Sequence, residues 1–163
     1  MKVSIEEVIG NLFKEKGLTI STAESCTGGL VAHRITNVSG SSDYFESGVI
    51  TYSNEAKIDL LKVPEETIKT HGAVSGQTAV AMAEGIRILR NTDIGIGITG
   101  IAGPTGGTAT KPVGLVYIAL SASSCVECKE FRFGGDREGI KLKASEAALE
   151  MIRGFLENYQ LIV

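Results

Sequence analysis

Thr22-Ala23-Glu24-Ser25-Cys26-Thr27-Gly28-Gly29-Leu30 is the stretch that decides how this chain folds. The apolar run before it, Leu18 to Ala23, reads as a short strand, and Thr27 to Thr36 reads as a helix. A hydroxyl at a strand-to-helix turn, here Ser25, is pushed out of the sheet. The backbone N–H groups that follow point at whatever binds there, and the helix dipole favours negative charge. Such a turn suits a nucleophile with a ready oxyanion hole. It suits a plain phosphate-binding turn equally well.

Upstream, Ser4-Ile5-Glu6-Glu7 reads as a capping box that opens a helix ending at Gly17. Downstream, Ser39 to Asp43 is a loop of turn formers, and Phe45 to Tyr52 reads as a strand. Asn54 is expected to cap a short helix ending near Leu61, and Pro64-Glu65-Glu66 to start another. Val74-Ser75 opens a long helix whose Ala79, Met82, Ala83, Ile86 and Leu89 recur at helical spacing. Ile94 to Ile101 reads as a buried strand, and Ala102 to Pro112 as a Gly/Pro/Thr loop. Val113 to Ala122 and Val126 to Phe133 read as paired strands. Asp136 caps a last helix with one apolar stripe: Ile140, Ala144, Ala147, Met151, Ile152 and Phe155. Strands thus alternate with helices, then a hairpin and a helix close the chain. The expected class is α/β, a three-layer α/β/α sandwich with a mixed, largely parallel sheet. No repeat or linker interrupts it, so residues 1–163 are expected to form a single domain.

Composition narrows the function. With 163 residues and 43% apolar side chains, the chain can bury a core without disulfides. A net charge of −3 and the lack of a basic block disfavour nucleic-acid binding. No apolar run approaches a membrane span, and the acidic, amphipathic N-terminus is unlike a signal peptide. The expected location is the cytoplasm. The three cysteines, Cys26, Cys125 and Cys128, then read as reduced thiols. Cys125 and Cys128 form a lone C-x-x-C in a hairpin with no second pair and no nearby histidine, so no metal site is expected.

Four places could carry chemistry. Ser25 needs a base to become nucleophilic. A Ser-His-Asp arrangement is poorly supported. His33 lies two turns into the helix after Ser25 and should point away, and His71 precedes Gly72 at a helix end. Lys57 follows the C-terminal end of the Tyr52 strand. In a parallel sheet such ends share one edge, so Lys57 and Ser25 could meet there. A lysine acts as base if burial lowers its pKa from ~10.4 toward ~7–8; the other reading is a solvated surface lysine. Gly95, Gly97 and Gly100 spell G-x-G-x-x-G, but they lie within a strand, and Pro104 with Gly106-Gly107 stands where a helix should start. They read instead as close approach of backbone to a ligand or a neighbouring helix, with Thr99 and Thr105 as added hydroxyl donors. Arg137, in the first turn after the Asp136 cap, is unfavourable to the helix dipole unless it faces an anion. Cys26 is the rival nucleophile to Ser25, since a thiol at a helix N-terminus is expected to be acidified.

Six stretches together resemble one family: Thr22–Leu30, Thr51–Lys57, His71–Ser75, Gly100–Gly107, Lys111–Gly114 and Gly135–Arg137. They look like the CinA C-terminal domain family, which includes stand-alone nicotinamide-nucleotide amidases, and the likeness covers almost the whole chain. The resemblance implies hydrolysis of the carboxamide of nicotinamide mononucleotide to nicotinic acid mononucleotide and ammonia, without a cofactor or metal. It implies Ser25 as nucleophile and Lys57 as base, with Tyr52 orienting them. The N–H groups of Cys26 or Thr27 would then stabilise the oxyanion, and Gly28 and Gly29 of the same turn would also bind the substrate. Arg137 and the loop carrying Gly100, Gly103, Thr105 and Gly106 would hold the phosphate, and Thr99 would line the site. Larger members carry an extra N-terminal domain resembling molybdopterin-binding proteins. This sequence starts at the amidase-like unit, so pyrophosphatase activity linked to that domain is expected to be absent. The alternatives are a non-catalytic nucleotide or phosphate sensor of the competence/damage-inducible type, an amidohydrolase using Cys26, and a structural partner subunit. The expected partners are the nucleotide substrate and a second copy of the chain, as a homodimer or larger homo-oligomer. Neither nucleic acid nor membrane is expected.

Overall fold

The computed structural model describes residues 2–160. Helix α1, Ile5–Lys16, is opened by the Ser4–Glu7 capping box and closed by Gly17 at φ 67°. Strand β1, Ile20–Glu24, leads through the turn to α2, Leu30–Thr36. Strand β2, Phe45–Ile50, is followed by α3, Asn54–Leu61, α4, Glu65–His71, and α5, Gly76–Arg90. Strand β3, Ile94–Gly100, a long loop, β4, Leu115–Ala122, β5, Val126–Arg132, and α6, Arg137–Asn158, complete the chain.

The strands form one sheet in the order β2-β1-β3-β4-β5. β1 runs parallel to β2 and β3, while β4 is antiparallel to both of its neighbours. One face is covered by α1, α2 and α6, whose Phe13, Val31, Ile35, Ala144 and Ile152 meet Ile94, Ile96 and Ile98. The other face is covered by α5, with α3 and α4 packed against it. The molecule is thus the three-layer α/β/α sandwich with a mixed sheet. Gly95 and Gly97 alternate with those isoleucines and lie under α5, where a Cβ would run into the Ala83 and Ala79 carbonyls. The first two glycines of the G-x-G-x-x-G spelling therefore serve helix-to-sheet approach, while Gly100 lies against Leu115 and Val116 of β4.

Several element ends differ from the sequence reading, each for a local reason. α2 begins at Leu30 and not at Thr27, because Gly28 and Gly29 take positive φ, 62° and 98°, and hold residues 25–29 in a turn. Ser53, not Asn54, caps α3: its hydroxyl accepts from the Ala56 amide at 3.0 Å. Gly114, at φ 92°, delays β4 to Leu115.

β1, β2 and β3 point their C-terminal ends at one edge. β1 connects to β2 on one side, while β3 lies on the other, so a crevice opens where the chain direction splits. Ser25, Tyr52, Lys57 and Gly100 all follow or end these three strands.

Candidate active site

At that edge lies a cavity of about 200 Å³ lined by Ser25, Cys26, Tyr52, Asn54, Lys57, Ala73, Val74, Thr99, Gly100, Ala102 and Arg137. Lys57 sits in the first turns of α3, and its side chain runs inward until the residue is 1% exposed. Its Nζ lies 3.0 Å from Ser25 Oγ and donates to the Thr51 carbonyl at 2.8 Å and the Tyr52 carbonyl at 3.3 Å. All three neighbours are neutral, and no carboxylate pairs with Nζ among the described residues. Burial therefore pushes the Lys57 pKa below the ordinary lysine value, with the neighbouring Cys26 acting weakly in the opposite sense.

Ser25 is held by its own backbone, whose N–H donates to the Ile98 carbonyl of β3 at 3.0 Å and whose carbonyl accepts from Gly28. The amides of Cys26 and Thr27, the two residues after Ser25, make no backbone hydrogen bond among the described residues.

The start of α2 does not offer its amides to a ligand, contrary to the expectation for an open helix N-terminus. Glu24, 1% exposed at the end of β1, fills that place. Its carboxylate accepts from Thr27 Oγ1 at 2.6 Å, from the Val31 amide at 3.0 Å and from the Ala32 amide at 3.1 Å. An acidic residue at a helix N-terminus answers the dipole from within the chain. Sequence reasoning missed Glu24, because the carboxylate acts seven and eight residues downstream and no local motif announces it.

Cys26 also departs from expectation. It is 7% exposed, and α2 starts four residues later, so no helix end acidifies it. Burial pushes its thiol up to about 12, and the Glu24 charge adds to that. It lines the cavity as a protonated thiol. Cys125 and Cys128 are free and exposed, away from the cavity.

Arg137 reaches across the cavity mouth. It donates to the Gly103 carbonyl at 2.7 Å and to the Tyr52 hydroxyl at 2.9 Å, so α6, the loop after β3 and the end of β2 are tied together. Thr99 lines the wall, but its hydroxyl donates to the Ala73 carbonyl at 2.8 Å and fixes the segment before α5. Gly100 lines the cavity directly. Thr105 and Gly106 stand exposed on the outer loop and do not line it. Neither His33 nor His71 does so either. Asn54, Ala73 and Val74 are lining residues that the sequence reading did not single out as site residues, although 71–75 and 51–57 were recognised as motifs.

A separate apolar groove of about 1040 Å³ runs along α3, α4, α5 and the sheet and shares no lining residue with this cavity. The smaller cavity holds the Ser25–Lys57 contact.

The model of the CinA C-terminal domain family matches residues 2–156. The chain belongs to the CinA C-terminal domain family. A CinA-like protein of Koribacter versatilis is 56% identical over 150 residues, 92% of this chain and 36% of that protein. The chain thus spans under two-fifths of the length of the curated relatives it matches. Among solved structures, competence/damage-inducible protein CihA from Agrobacterium tumefaciens is 44% identical, with a TM-score of 0.90 over 97% of this chain and 100% of that one. Competence damage-inducible protein A from Klebsiella pneumoniae is 35% identical, with a TM-score of 0.92 over 96% of this chain and 97% of that one. The CinA-type fold is therefore common to chains that differ at more than half of their positions.

Proposed function

We propose that this CinA-family domain is an amidohydrolase that converts nicotinamide mononucleotide to nicotinic acid mononucleotide and ammonia through Ser25 and Lys57. The observation that carries the reading is the 3.0 Å contact between Ser25 Oγ and a buried Lys57 Nζ with only neutral neighbours. A sensor would need an anion site but not this pair.

Neutral Lys57 takes the Ser25 proton as Oγ attacks the carboxamide carbon. The tetrahedral oxyanion forms beside the amides of Cys26 and Thr27. Collapse breaks the C–N bond, and Lys57 returns the proton to the leaving nitrogen, which departs as ammonia. Water then adds to the acyl ester, giving its proton to Lys57. The ester C–O bond breaks, Ser25 recovers a proton, and the acid product leaves. Tyr52, fixed by Arg137 and bonded through its carbonyl to Lys57, orients the base. Ala73, Val74 and Ala102 supply the apolar wall for a flat ring.

The test is ammonia release from nicotinamide mononucleotide by the wild-type protein, Ser25→Ala and Cys26→Ala. Turnover in wild type and Cys26→Ala, with loss in Ser25→Ala, is expected. Binding without turnover in the wild type overturns the reading in favour of a sensor. Turnover that follows Cys26 overturns the assignment of the nucleophile.

A further inference from the structure

More of α5 is apolar than the sheet can bury. Ala79, Met82, Ala83 and Ile86 are packed inward. Outside that stripe, Val80, Ala81, Ile88 and Leu89 line the apolar groove of about 1040 Å³, as does Leu60 of α3. Ile88 is 70% exposed, Leu89 50% and Leu60 48%. A helix on the outside of a sandwich ordinarily turns a polar face to water, and one that is apolar nearly all round belongs under a further layer.

The same groove carries both halves of a self-complementary surface. Ala81 and Gly85 are its small residues on α5, and a Cβ at Gly85 would run into the Leu61 carbonyl, so α3 and α5 touch there with no side chain between them. Leu60, Ile88 and Leu89 project beside them. Lys62 and Glu84 also line the groove, and neither has an opposite charge within ion-pair distance among the described residues. Lys62 Nζ is left to donate to the Asp59 carbonyl of its own helix at 2.8 Å. A two-fold axis sets one patch against its own copy, so a patch holding projections with small residues, and a cation with a carboxylate, answers itself. Sixteen residues line the groove, against the about 20–30 on each side of a standard interface, so it supplies more than half of one side.

We propose that this groove is a dimer interface, occupied by the α3–α5 face of a second copy of the chain, with Ile88 and Leu89 of each copy seated over Ala81 and Gly85 of the other and Lys62 meeting the partner's Glu84. His71 and Gly76 line the groove, and Ala73 and Val74 between them line the Ser25–Lys57 cavity, so the second copy braces the segment that walls the site. The interface needs no turnover and stands or falls independently of the amidase reading.

The experiment follows mass by light scattering and sedimentation over a dilution series of wild type, Ile88→Lys, Glu84→Lys, and Glu84→Lys combined with Lys62→Glu. Wild type should run at twice the chain mass at about 10 μM. Ile88→Lys should raise the dimer Kd about thirtyfold or more, as truncation of a central apolar anchor does. Ile88 is exposed in the single chain and lies near the C-terminus of α5, where a cation is tolerated, so the fold should survive, which circular dichroism checks. Glu84→Lys should weaken the dimer about tenfold, and adding Lys62→Glu should recover most of that loss, because a swap in both copies restores each pair. Should Ile88→Lys not fold, the charge swap decides alone. A wild type that stays monomeric at about 100 μM overturns the proposal. So does a dimer that both Ile88→Lys and Glu84→Lys leave intact. A monomer that binds an apolar dye, with binding lost in Ile88→Lys, assigns the groove to a small apolar ligand and overturns it likewise.

Discussion

A lysine amine surrounded by two carbonyls and a hydroxyl behaves differently from one in an ion pair. The carbonyls and hydroxyl around Lys57 Nζ accept hydrogen bonds, but no carboxylate offsets the loss of water when the amine is charged, so burial lowers its pKa and brings the neutral form within easier reach. Only the neutral form can accept the Ser25 proton. The pH profile of kcat/KM should therefore rise with pH on a limb whose midpoint lies below the ordinary lysine value. Lys57→Met should remove the limb and lower kcat/KM by roughly 10²-fold or more. A flat profile in the wild type would contradict this assignment. The same residue sets a stability term of known sign. The unfolded chain holds the proton more tightly than the folded one, so stability rises with pH between the folded and unfolded pKa values. Lys57→Met should hence melt higher than wild type at pH below the folded value, with the difference fading as pH approaches the ordinary lysine range. A melting comparison across pH that shows a constant or reversed difference would count against it.

At the scale of elements, the turn between β1 and α2 is held by Glu24. Glu24→Gln keeps the size but replaces one acceptor oxygen with a donor that faces backbone N–H groups. The variant should lose roughly 1–3 kcal/mol of stability, and kcat should fall because Ser25 sits on the same turn. An unchanged melting temperature together with an unchanged kcat would show that the carboxylate is dispensable. The strand-turn-helix itself was legible in the sequence, since an apolar run followed by Gly28-Gly29 has few other solutions. The meeting of Ser25 with Lys57 was legible too, because parallel strands deliver their C-terminal ends to one edge. Other features were not. The burial of Cys26 depends on α6 covering the turn, and the approach of Lys141 to Gly28 joins residues more than a hundred positions apart. Glu24 reads locally as an ordinary charged residue at a strand end. Each depends on layer-to-layer contact, which periodicity does not encode.

At the scale of the molecule, the site hangs on the middle of the sheet. β1, β3 and β4 have neighbours on both sides, while β2 and β5 are edges and β5 is largely exposed. Amide hydrogen exchange should be slowest in β1, β3 and β4 and clearly faster in β5. If β5 amides outlasted those of β3, the sheet centre would not be the stable unit. The Ser25 amide is bonded to the Ile98 carbonyl of β3, so Ser25 is tied to the centre of the sheet. No helix among the described residues is long and apolar enough to cross a membrane.

Because Glu24 completes the turn from inside, residues 25–32 are ordered when the chain folds and not when a ligand arrives. An incoming ligand would meet a finished surface. Divergence toward new substrates on this scaffold would then proceed at the rim, through lining residues such as Asn54 and Val74, whose side chains make no hydrogen bond among the described residues. The turn itself would stay fixed, since changing it means refolding the start of a helix. The interior carboxylate separates what this fold can vary from what it must keep.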